Sequence, residues 1–460
     1  MLKNDIWRCQ FHLVPPTGWM NDPNGLCQYQ GTYHVFFQYA PEFPDHDVKE
    51  WGHYTSRNLA HWTFAGTALY PDTAYDKNGT YSGCALTGPD SFALYYTGNV
   101  QQEGNHDYTH SGRESNTLRV TTKDGIHFSE KECVLSNKDY PSSYTCHIRD
   151  PKVWMEDNLY KMVLGGRKQD DTGAILLYQS EDGIHWSYLH DLTSRNPFGF
   201  MWECPDLFQM EGQRFLSVCP QGLKAEEFRF QNVHESGYFP VDMELSEPID
   251  ETRFREWDMG FDFYAPQTFV DHKRRRILIG WAGRPDTEYA EPTLDNHWIH
   301  TLTVPRVVTR QQDILLQNPV PELDRLRSRC REITAGRWFS FPSFFDWELK
   351  PFPAKQQNFT IHITKELTLT YDGSVLTLGF QGNLGAGRTT RRVLCDKVKN
   401  IRILADCSIL EIFINDGAIV QTTRFFPSDD KLDLCAEGDF SLNRIWDFQG
   451  SAVRIPSGQP

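Results

Sequence analysis

The segment Tyr33-His34-Val35-Phe36-Phe37-Gln38 is an apolar, aromatic stretch of the kind that forms a buried β-strand. Similar stretches begin at residues 92, 159, 215 and 277, which is a spacing of roughly 60 residues. They are Phe92-Ala93-Leu94-Tyr95-Tyr96-Thr97, Leu159-Tyr160-Lys161-Met162-Val163-Leu164, Phe215-Leu216-Ser217-Val218-Cys219 and Ile277-Leu278-Ile279-Gly280-Trp281. Five copies predict an all-β protein that begins with a five-bladed β-propeller of about four strands per blade. A large irregular β-sandwich is the alternative, but it needs no such repeat.

The composition changes after about residue 310, where the repeat ends. A Pro-rich connection, Gln317–Leu323, precedes alternating strands such as Phe359–Thr364 and Leu367–Tyr371. This pattern is typical of an antiparallel β-sandwich. We therefore predict a propeller domain at residues 1–310, a linker at 311–335 and a C-terminal β-sandwich at 336–460, and we expect no catalytic cluster in the sandwich.

One polar residue precedes each marker strand by about ten residues, at nearly the same offset in every copy. These residues are Asp22, Ser82, Asp150, Glu203 and Tyr264. Equivalent positions in successive blades are related by rotation about the central channel. If they lie on the innermost strand of each blade, the five side chains converge on the axis and form a site.

Charge and composition exclude several classes of function. The net charge of −15 argues against a nucleic-acid partner, because binding phosphates needs a basic surface. No apolar run is long enough to span a membrane, and the first residues contain no signal-peptide pattern, so we expect a cytoplasmic protein. The eleven cysteines contain no Cys-x-x-Cys pair, which argues against a disulfide framework or a zinc site.

Three carboxylates in one pocket repel each other, so they indicate a functional site. A calcium or magnesium site is one possibility. A glycosidase is the other, since it needs a nucleophilic carboxylate and a protonated carboxylic acid. Nearby aromatic residues favour a sugar, because their faces stack on its C–H groups; they are Trp19, Trp51, Tyr81, Trp202, Tyr264 and Trp281. We therefore predict a small sugar substrate, no cofactor and no metal.

Three motifs carry a resemblance to a known family. Trp19–Gly25, Arg149-Asp150-Pro151 and Glu203-Cys204 resemble the signatures of glycoside hydrolase family 32, which contains invertases, sucrose-6-phosphate hydrolases and fructan hydrolases. The segment Phe11–Gly18 is most similar to intracellular bacterial sucrose-6-phosphate hydrolases and invertases. The segment Ala405–Phe413 resembles the C-terminal signature of the family.

The resemblance implies a five-bladed propeller followed by a sandwich, and it implies residue roles. Asp22 would be the nucleophile, Glu203 the general acid/base and Asp150 a stabiliser of positive charge on the fructose ring. The positions implied to bind substrate are Asn21, Gln38, Trp51, Tyr81, Ser82, Arg149, Tyr264 and Trp281. We expect Arg149 to favour the ionised form of Asp150, and apolar neighbours and adjacent anions to raise the pKa of Glu203.

These roles predict a retaining β-fructofuranosidase that hydrolyses the terminal β-D-fructofuranosyl bond of sucrose, sucrose 6-phosphate or short fructo-oligosaccharides. A fructosyltransferase would use the same residues, and a non-catalytic sugar-binding propeller is a further alternative. A 6-phosphate on the glucose would face the rim near His46, Lys49 or Arg113. The sequence leaves the choice among these substrates and the oligomeric state open.

Overall fold

β-Strands are the main regular secondary structure of the residues that the structure describes. The computed structural model describes residues 5–287, 289–353 and 357–456. Short 3-10 helices interrupt the strands at Asn137–Asp139, Glu251–Arg253, Pro292–Asn296 and Pro321–Leu326. The predicted all-β class is therefore confirmed.

The first part of the chain forms five sheets in sequence order, each with a core of four consecutive antiparallel strands. The first holds β1 (Gly18–Tyr29), β2 (Thr32–Ala40), β3 (Glu50–Ser56) and β4 (Trp62–Leu69). The second holds β5 (Thr80–Thr87), β6 (Phe92–Gln101), β7 (Arg113–Thr122) and β8 (Glu132–Leu135). The third holds β9 (Tyr144–Glu156), β10 (Leu159–Lys168), β11 (Gly173–Ser180) and β12 (Ser187–Leu192).

The fourth sheet holds β13 (Met201–Met210), β14 (Gln213–Gln221), β15 (Gly237–Val241) and β16 (Arg255–Glu256). The strands β17 (Tyr264–Val270), β18 (Arg276–Trp281), β19 (Trp298–Ile299), β20 (Arg306–Gln311) and β21 (Ile314–Pro319) follow. Of these, β19 pairs with β1, and the other four form the fifth sheet. The predicted marker strands lie in β2, β6, β10, β14 and β18, the second strand of every sheet.

The first strands of the five sheets contact one another in a closed ring. β1 contacts β5, β5 contacts β9, β9 contacts β13, β13 contacts β17, and β17 contacts β1. A cavity of about 520 Å³ is lined at one end of this ring by residues from all five strands: Leu26, Ala85, Trp154, Leu207 and Phe269. The polar positions predicted to converge precede these residues on the same strands, so they lie toward the opposite end.

Every first strand is irregular where its polar residue lies. Pairing with the second strand shifts between Met20 and Pro23, Thr80 and Gly83, Arg149 and Lys152, Glu203 and Asp206, and Tyr264 and Gln267. Asp150, Cys204 and Ala265 adopt positive φ angles of 62°, 47° and 47°, and each precedes a proline. Such bulges redirect side chains at the rims of sheets. The local irregularity therefore aims one group from each strand at a common point.

The second part of the chain is a sandwich of two six-stranded antiparallel sheets. Its strands are β22 (Arg327–Glu332), β23 (Phe339–Pro342), β24 (Phe344–Pro351), β25 (Phe359–His362), β26 (Leu367–Tyr371), β27 (Val375–Phe380), β28 (Thr390–Leu394), β29 (Ile401–Asp406), β30 (Ile409–Ile414), β31 (Ile419–Arg424), β32 (Lys431–Glu437) and β33 (Phe440–Phe448). Facing apolar residues, including Phe345, Trp347, Leu369, Leu378 and Ile403, form its core. A last strand, β34 (Val453–Arg454), returns to pair with β4.

Residues 311–335, predicted as a linker, are structured. The strand β21 completes the fifth sheet, the helix Pro321–Leu326 follows, and β22 already pairs in the sandwich. The proline-rich composition marks the 3-10 helix, because Pro321 fixes the first helical position. The connection between the two parts of the chain is therefore about the length of one short helix.

A buried ionic network joins the two parts. The guanidinium of Arg306 donates to Glu411 at 2.9 Å and to Asp258 at 3.2 Å. His12 lies between Asp406 and Glu411, with both nitrogen–oxygen distances 2.9 Å. Burial alone would lower the pKa of His12, but its hydrogen bonds to the two carboxylates raise it. The acidic residues of the sandwich therefore neutralise cations of the first part.

Candidate active site

Three carboxylates from three different strands meet around Cys204. The backbone N–H of Cys204 donates to Asp150 Oδ2 at 2.9 Å, and its thiol lies 3.6 Å from Asp22 Oδ2. Glu203 directly precedes Cys204 on β13. The positive φ of Cys204 turns its N–H toward β9 at the bulge. The structure thus brings together Asp22, Asp150 and Glu203, as the sequence predicts.

Asp22 is surrounded by hydrogen-bond donors. Ser82 Oγ donates to Asp22 Oδ2 at 2.5 Å, and Asn21 Nδ2 donates to Oδ1 at 3.0 Å. Gln38 Nε2 donates to Ser82 Oγ at 2.6 Å, and Gln38 Oε1 accepts from Asn21 Nδ2 at 3.0 Å. Burial raises the pKa of Asp22, while the Ser82 and Asn21 hydrogen bonds oppose that rise. Ser82, Asn21 and Gln38 together orient the carboxylate and stabilise its ionised form.

Glu203 is the carboxylate that Arg149 binds. Both Nε and Nη2 of Arg149 contact Glu203 Oε1, at 3.0 Å and 2.5 Å. The other oxygen, Oε2, accepts from the Tyr264 hydroxyl and from Gln221 Nε2, each at 2.7 Å. The adjacency of Arg149 and Asp150 in sequence predicted a different partner, but neighbours in a strand point to opposite faces. Arg149 therefore reaches across to the next sheet.

The expectation that the pKa of Glu203 is raised is wrong. Burial acts to raise the pKa of Glu203, but the charge of Arg149 and the hydrogen bonds from Tyr264 and Arg149 hold it below its ordinary value. Burial, with the neighbouring charges of Glu203 and Asp22, raises the pKa of Asp150 to about 7 although Arg149 opposes this. Burial and the neighbouring negative charges thus favour the protonated form of Asp150.

Aromatic side chains form the walls around the carboxylates. Tyr264 and Trp281 pack edge to face with their centroids 6.3 Å apart, and Trp19 lies 6.1 Å from Trp281. Trp51 is fully buried, and its indole N–H donates to the carbonyl of Tyr81 at 3.1 Å. The structure therefore places Trp51 behind Tyr81 as a support, while Tyr264, Trp281 and Trp19 lie around the carboxylates.

Several residues of the site were not predicted from the sequence. Gln221 binds Glu203, Thr97 Oγ1 accepts from the Asp150 N–H at 2.9 Å, and His147 accepts from Arg149 at 2.8 Å. Gln221 and Thr97 lie in the C-terminal half of second strands, as Gln38 and Trp281 do. The repeat contained this signal, because the offset that identified polar residues on the first strands applies equally to the second strands.

The sandwich reaches the site through an ionic chain. His300 packs against Trp19 and Trp281, with centroid distances of 4.4 Å and 5.0 Å. Its Nδ1 lies 2.9 Å from Glu291, which forms an ion pair with Arg424 of β31. The second part of the chain therefore supports two of the aromatic walls, although it contributes no carboxylate to the cluster of three.

The described residues contain no group of three or more His, Cys, Asp and Glu side chains arranged to hold a metal ion. Each carboxylate instead has its own protein donors: Ser82 and Asn21 for Asp22, the Cys204 N–H for Asp150, and Arg149 for Glu203. Within the same residues, no helix is long and apolar enough to cross a membrane. The geometry fits acid–base and nucleophilic chemistry by carboxylates.

Comparisons with known proteins agree with this geometry. Residues 12–319 match the glycosyl hydrolases family 32 N-terminal domain, and residues 344–447 match the family 32 C-terminal domain. Sucrose-6-phosphate hydrolase of Bacillus subtilis is 37% identical over 96% of this chain and 95% of its own, and that of Klebsiella pneumoniae is 38% identical over 91% and 88%.

Solved structures give the same result. Sucrose-6-phosphate hydrolase from Lactobacillus gasseri superposes with a TM-score of 0.88 at 26% identity, covering 97% of this chain and 94% of that one. A Bombyx mori family 32 beta-fructofuranosidase mutant in complex with sucrose superposes at 0.84 with 28% identity, covering 99% and 96%. The chain therefore belongs to glycosyl hydrolase family 32 and is a glycoside hydrolase.

Proposed function

We propose that this enzyme is a retaining β-fructofuranosidase that hydrolyses sucrose and sucrose 6-phosphate, with Asp22 as nucleophile, Glu203 as general acid/base and Asp150 as stabiliser. The observation that carries the proposal is the convergence of these carboxylates with a separate set of donors on each. A retaining glycosidase needs such a division of roles among neighbouring carboxyl groups. The relatives named sucrose-6-phosphate hydrolase and the sucrose complex of a family member support the choice of substrate.

In the first step, a lone pair of the Asp22 carboxylate attacks the anomeric C2 of the fructosyl unit. The bond from C2 to the bridging oxygen breaks, and Glu203 gives its proton to that oxygen as the glucose unit leaves. Ser82 and Asn21 hold Asp22 so that one oxygen faces the ring. The product is a fructosyl ester on Asp22, and the proton and charge balance because Glu203 ends ionised.

In the second step, Glu203 takes a proton from a water molecule, which attacks C2 and releases Asp22. Positive charge develops on the fructose ring in both transition states, so an ionised Asp150 lowers both barriers. Asp150 is well placed for this because its backbone is fixed by Thr97 and its carboxylate by Cys204. Two inversions at C2 give retention of configuration.

Substrate binding must move the proton of the carboxylate cluster. Asp150, with a pKa raised to about 7, holds it most readily in the free enzyme. Fructose hydroxyls that donate to Asp150 stabilise its ionised form, and the leaving group excludes water from Glu203. The three groups titrate as one coupled system, so the shared proton passes to Glu203 without an external acid.

The five sheets fit the five blades of a propeller, a count supported by the ring of first-strand contacts and by the cavity lined by all five strands. The domains at residues 1–310 and 336–460 stay a proposal, which the family matches at residues 12–319 and 344–447 support, and the structured segment at 311–335 favours a boundary close to residue 320. The cytoplasmic location stays a prediction, and the eleven free cysteines fit a reducing compartment.

Initial rates on sucrose, sucrose 6-phosphate, 1-kestose and inulin test the proposal. We expect turnover of the two sucrose forms and slow turnover of inulin at equal concentrations of chain ends. Asp22→Asn should lose nearly all activity. If the wild-type enzyme releases no fructose from either form of sucrose, the proposed function is wrong. If the main product in sucrose is a trisaccharide, the fructosyltransferase alternative replaces it.

A further inference from the structure

Arg113, at the start of β7, is a cation without a partner. Its Nε is buried and makes no hydrogen bond, and its guanidinium contacts no carboxylate within the residues that the structure describes. The groups whose charges act on it are Tyr81, Arg149 and Cys146. Burial lowers the pKa of Arg113, because its charge is partly removed from water. A half-buried arginine in this setting lacks the anion that usually accompanies it.

The neighbours of Arg113 add positive charge. Arg149 donates to His147 Nδ1 at 2.8 Å, and the other ring nitrogen of His147 lies 3.1 Å from the carbonyl of Tyr108. Since arginine only donates, His147 is neutral and its Nε2–H faces Tyr108. Burial, together with the charges of Arg149, Arg113 and Arg167, lowers the pKa of His147 to about 3. His147 is therefore neutral, hydrogen-bonded to Arg149 and within the electrostatic influence of Arg113 and Arg167.

Nearby carboxylates do not completely neutralise the positive charges of Arg113, Arg149 and Arg167. Arg149 is paired with Glu203, and Arg167 is paired with the exposed Asp171 while its guanidinium covers Phe200. Asp107 binds the ring and backbone N–H of His110 in the loop between β6 and β7. The loop itself is fixed to β9, because the Cys146 N–H donates to the carbonyl of Thr109 at 2.7 Å. One positive charge thus stays uncompensated in a protein of net charge −15.

These positive charges lie on the side of the site where the leaving group departs from the fructosyl unit. Glu203 must touch the bridging oxygen to protonate it, so the departing sugar lies against Glu203. Arg149 joins Glu203 to His147, and Arg113 acts on Arg149 and on the pocket residue Tyr81. The contacts of Glu203 with Arg149, of Arg149 with His147 and of His147 with the Tyr108 carbonyl lead from the departing sugar to the loop that precedes Arg113. A substituent of the departing sugar that follows this path would approach Arg113, while the fructosyl unit would contact Asp22.

We propose that Arg113, assisted by the charge of Arg167, binds a phosphate group on the departing sugar and makes the enzyme prefer phosphorylated sucrose. The inference rests on the proposed function, since it assigns a specificity residue to that site. Arginine suits the role because its planar fork binds two phosphate oxygens at once. A dianionic phosphate also supplies the counter-charge that Arg113 lacks.

The other two rim residues predicted from the sequence, Lys49 and His46, are poorer candidates. Lys49 is paired with Asp47 and lies over the Trp19 ring at 4.7 Å from its centroid. The imidazole of His46 is largely exposed and lies 3.9 Å from Glu42. Both side chains therefore already have an acidic neighbour. Arg113 is the one of the three without a carboxylate partner among the described residues.

The test compares kcat/KM for sucrose and for sucrose 6-phosphate in the wild type and in Arg113→Met. We expect the variant to lose roughly ten- to hundredfold on sucrose 6-phosphate, the usual effect of one charged hydrogen bond, while sucrose changes little. Arg113→Lys should keep part of the preference because it keeps the charge. Arg167→Met should lose less than Arg113→Met, because its charge is shared with Asp171.

Two controls make the result specific. Arg329→Met removes an exposed charge from the sandwich and should not change the ratio of the two substrates. In an Asp22→Asn background, titration calorimetry with sucrose 6-phosphate measures whether Arg113→Met weakens binding itself.

An unchanged ratio in Arg113→Met, an equal loss on both substrates, or a wild type without preference for sucrose 6-phosphate would overturn the inference and leave the proposed function standing. A wild type inactive on both substrates would overturn the proposed function and this inference with it.

Discussion

Replacing Tyr264 by phenylalanine tests how the carboxylate cluster holds its proton. The hydroxyl of Tyr264 donates to Glu203 Oε2 at 2.7 Å, and burial together with the charge of Glu203 raises the pKa of Tyr264 well above its ordinary value, so the hydroxyl stays a donor. A hydrogen bond to a charged group contributes about 1.5–3 kcal/mol, which corresponds to about one to two pKa units. Gln221 still donates to the same oxygen, so we expect the lower end of this range.

The assay is the pH dependence of kcat/KM, which reports the ionisation of the free enzyme. Activity requires the shared proton, and the pKa of Asp150, raised to about 7, places the alkaline limb near neutral pH. Removing a donor destabilises the fully ionised cluster, so Tyr264→Phe should move this limb upward by about one pH unit.

A matched control and a refuting result complete this test. Tyr54→Phe also removes a buried hydroxyl, but that hydroxyl donates to the carbonyl of Val14 and should leave the limb unmoved. On an aryl β-fructoside with an acidic leaving group, which needs no proton, the alkaline limb should disappear in every variant. An unmoved or lowered limb in Tyr264→Phe would refute the shared-proton account.

Three further changes test other parts of the site and fold. Glu203→Ala should lose most activity on sucrose but much less on an aryl fructoside, and an equal loss in steady-state assays would contradict the acid role. Asp150→Asn should raise the thermal unfolding midpoint more at about pH 8 than at about pH 5. The pKa of Asp150 is raised in the folded state, so its ionisation costs stability as the pH rises through about 7. If calorimetry shows the same change of the midpoint at both pH values, Asp150 does not destabilise the fold in its ionised form. Arg306→Met should lower the free energy of unfolding by about 3–5 kcal/mol, because Glu411 loses its buried partner. Urea unfolding measures this loss, with the exposed Arg329→Met as the control. Equal free energies of unfolding in the two variants would show that the buried ionic network is unimportant.

Much of the fold could be predicted from periodicity. The marker strands lie where the sequence placed them because each is buried on both faces, and burial selects β-branched and aromatic residues. The short strands β19 and β34 carry no such signal. They pair in parallel with β1 and β4 across hundreds of residues, and two-residue strands are specified by the surrounding tertiary contacts alone.

The site was predictable in its members but not in its pairings. A fixed offset from each marker strand identified Asp22, Asp150 and Glu203, because repeated units place equivalent residues on one ring. The partner of Arg149 depends on which face of β9 the side chain occupies at the bulge, and no offset encodes this. The pKa of Glu203 is lowered because Arg149 pairs with it, and the sequence did not predict this pair. The expectation of a raised pKa was therefore wrong for the same reason.

The most direct test of the central claim is the stereochemistry of transfer to methanol. With sucrose and methanol as acceptor, a double displacement through a fructosyl ester on Asp22 predicts methyl β-D-fructofuranoside, which NMR distinguishes from its anomer and which does not isomerise in solution. The wild type should form only the β-anomer, and Asp22→Asn should form neither. Methyl α-D-fructofuranoside as the first product would contradict the covalent mechanism.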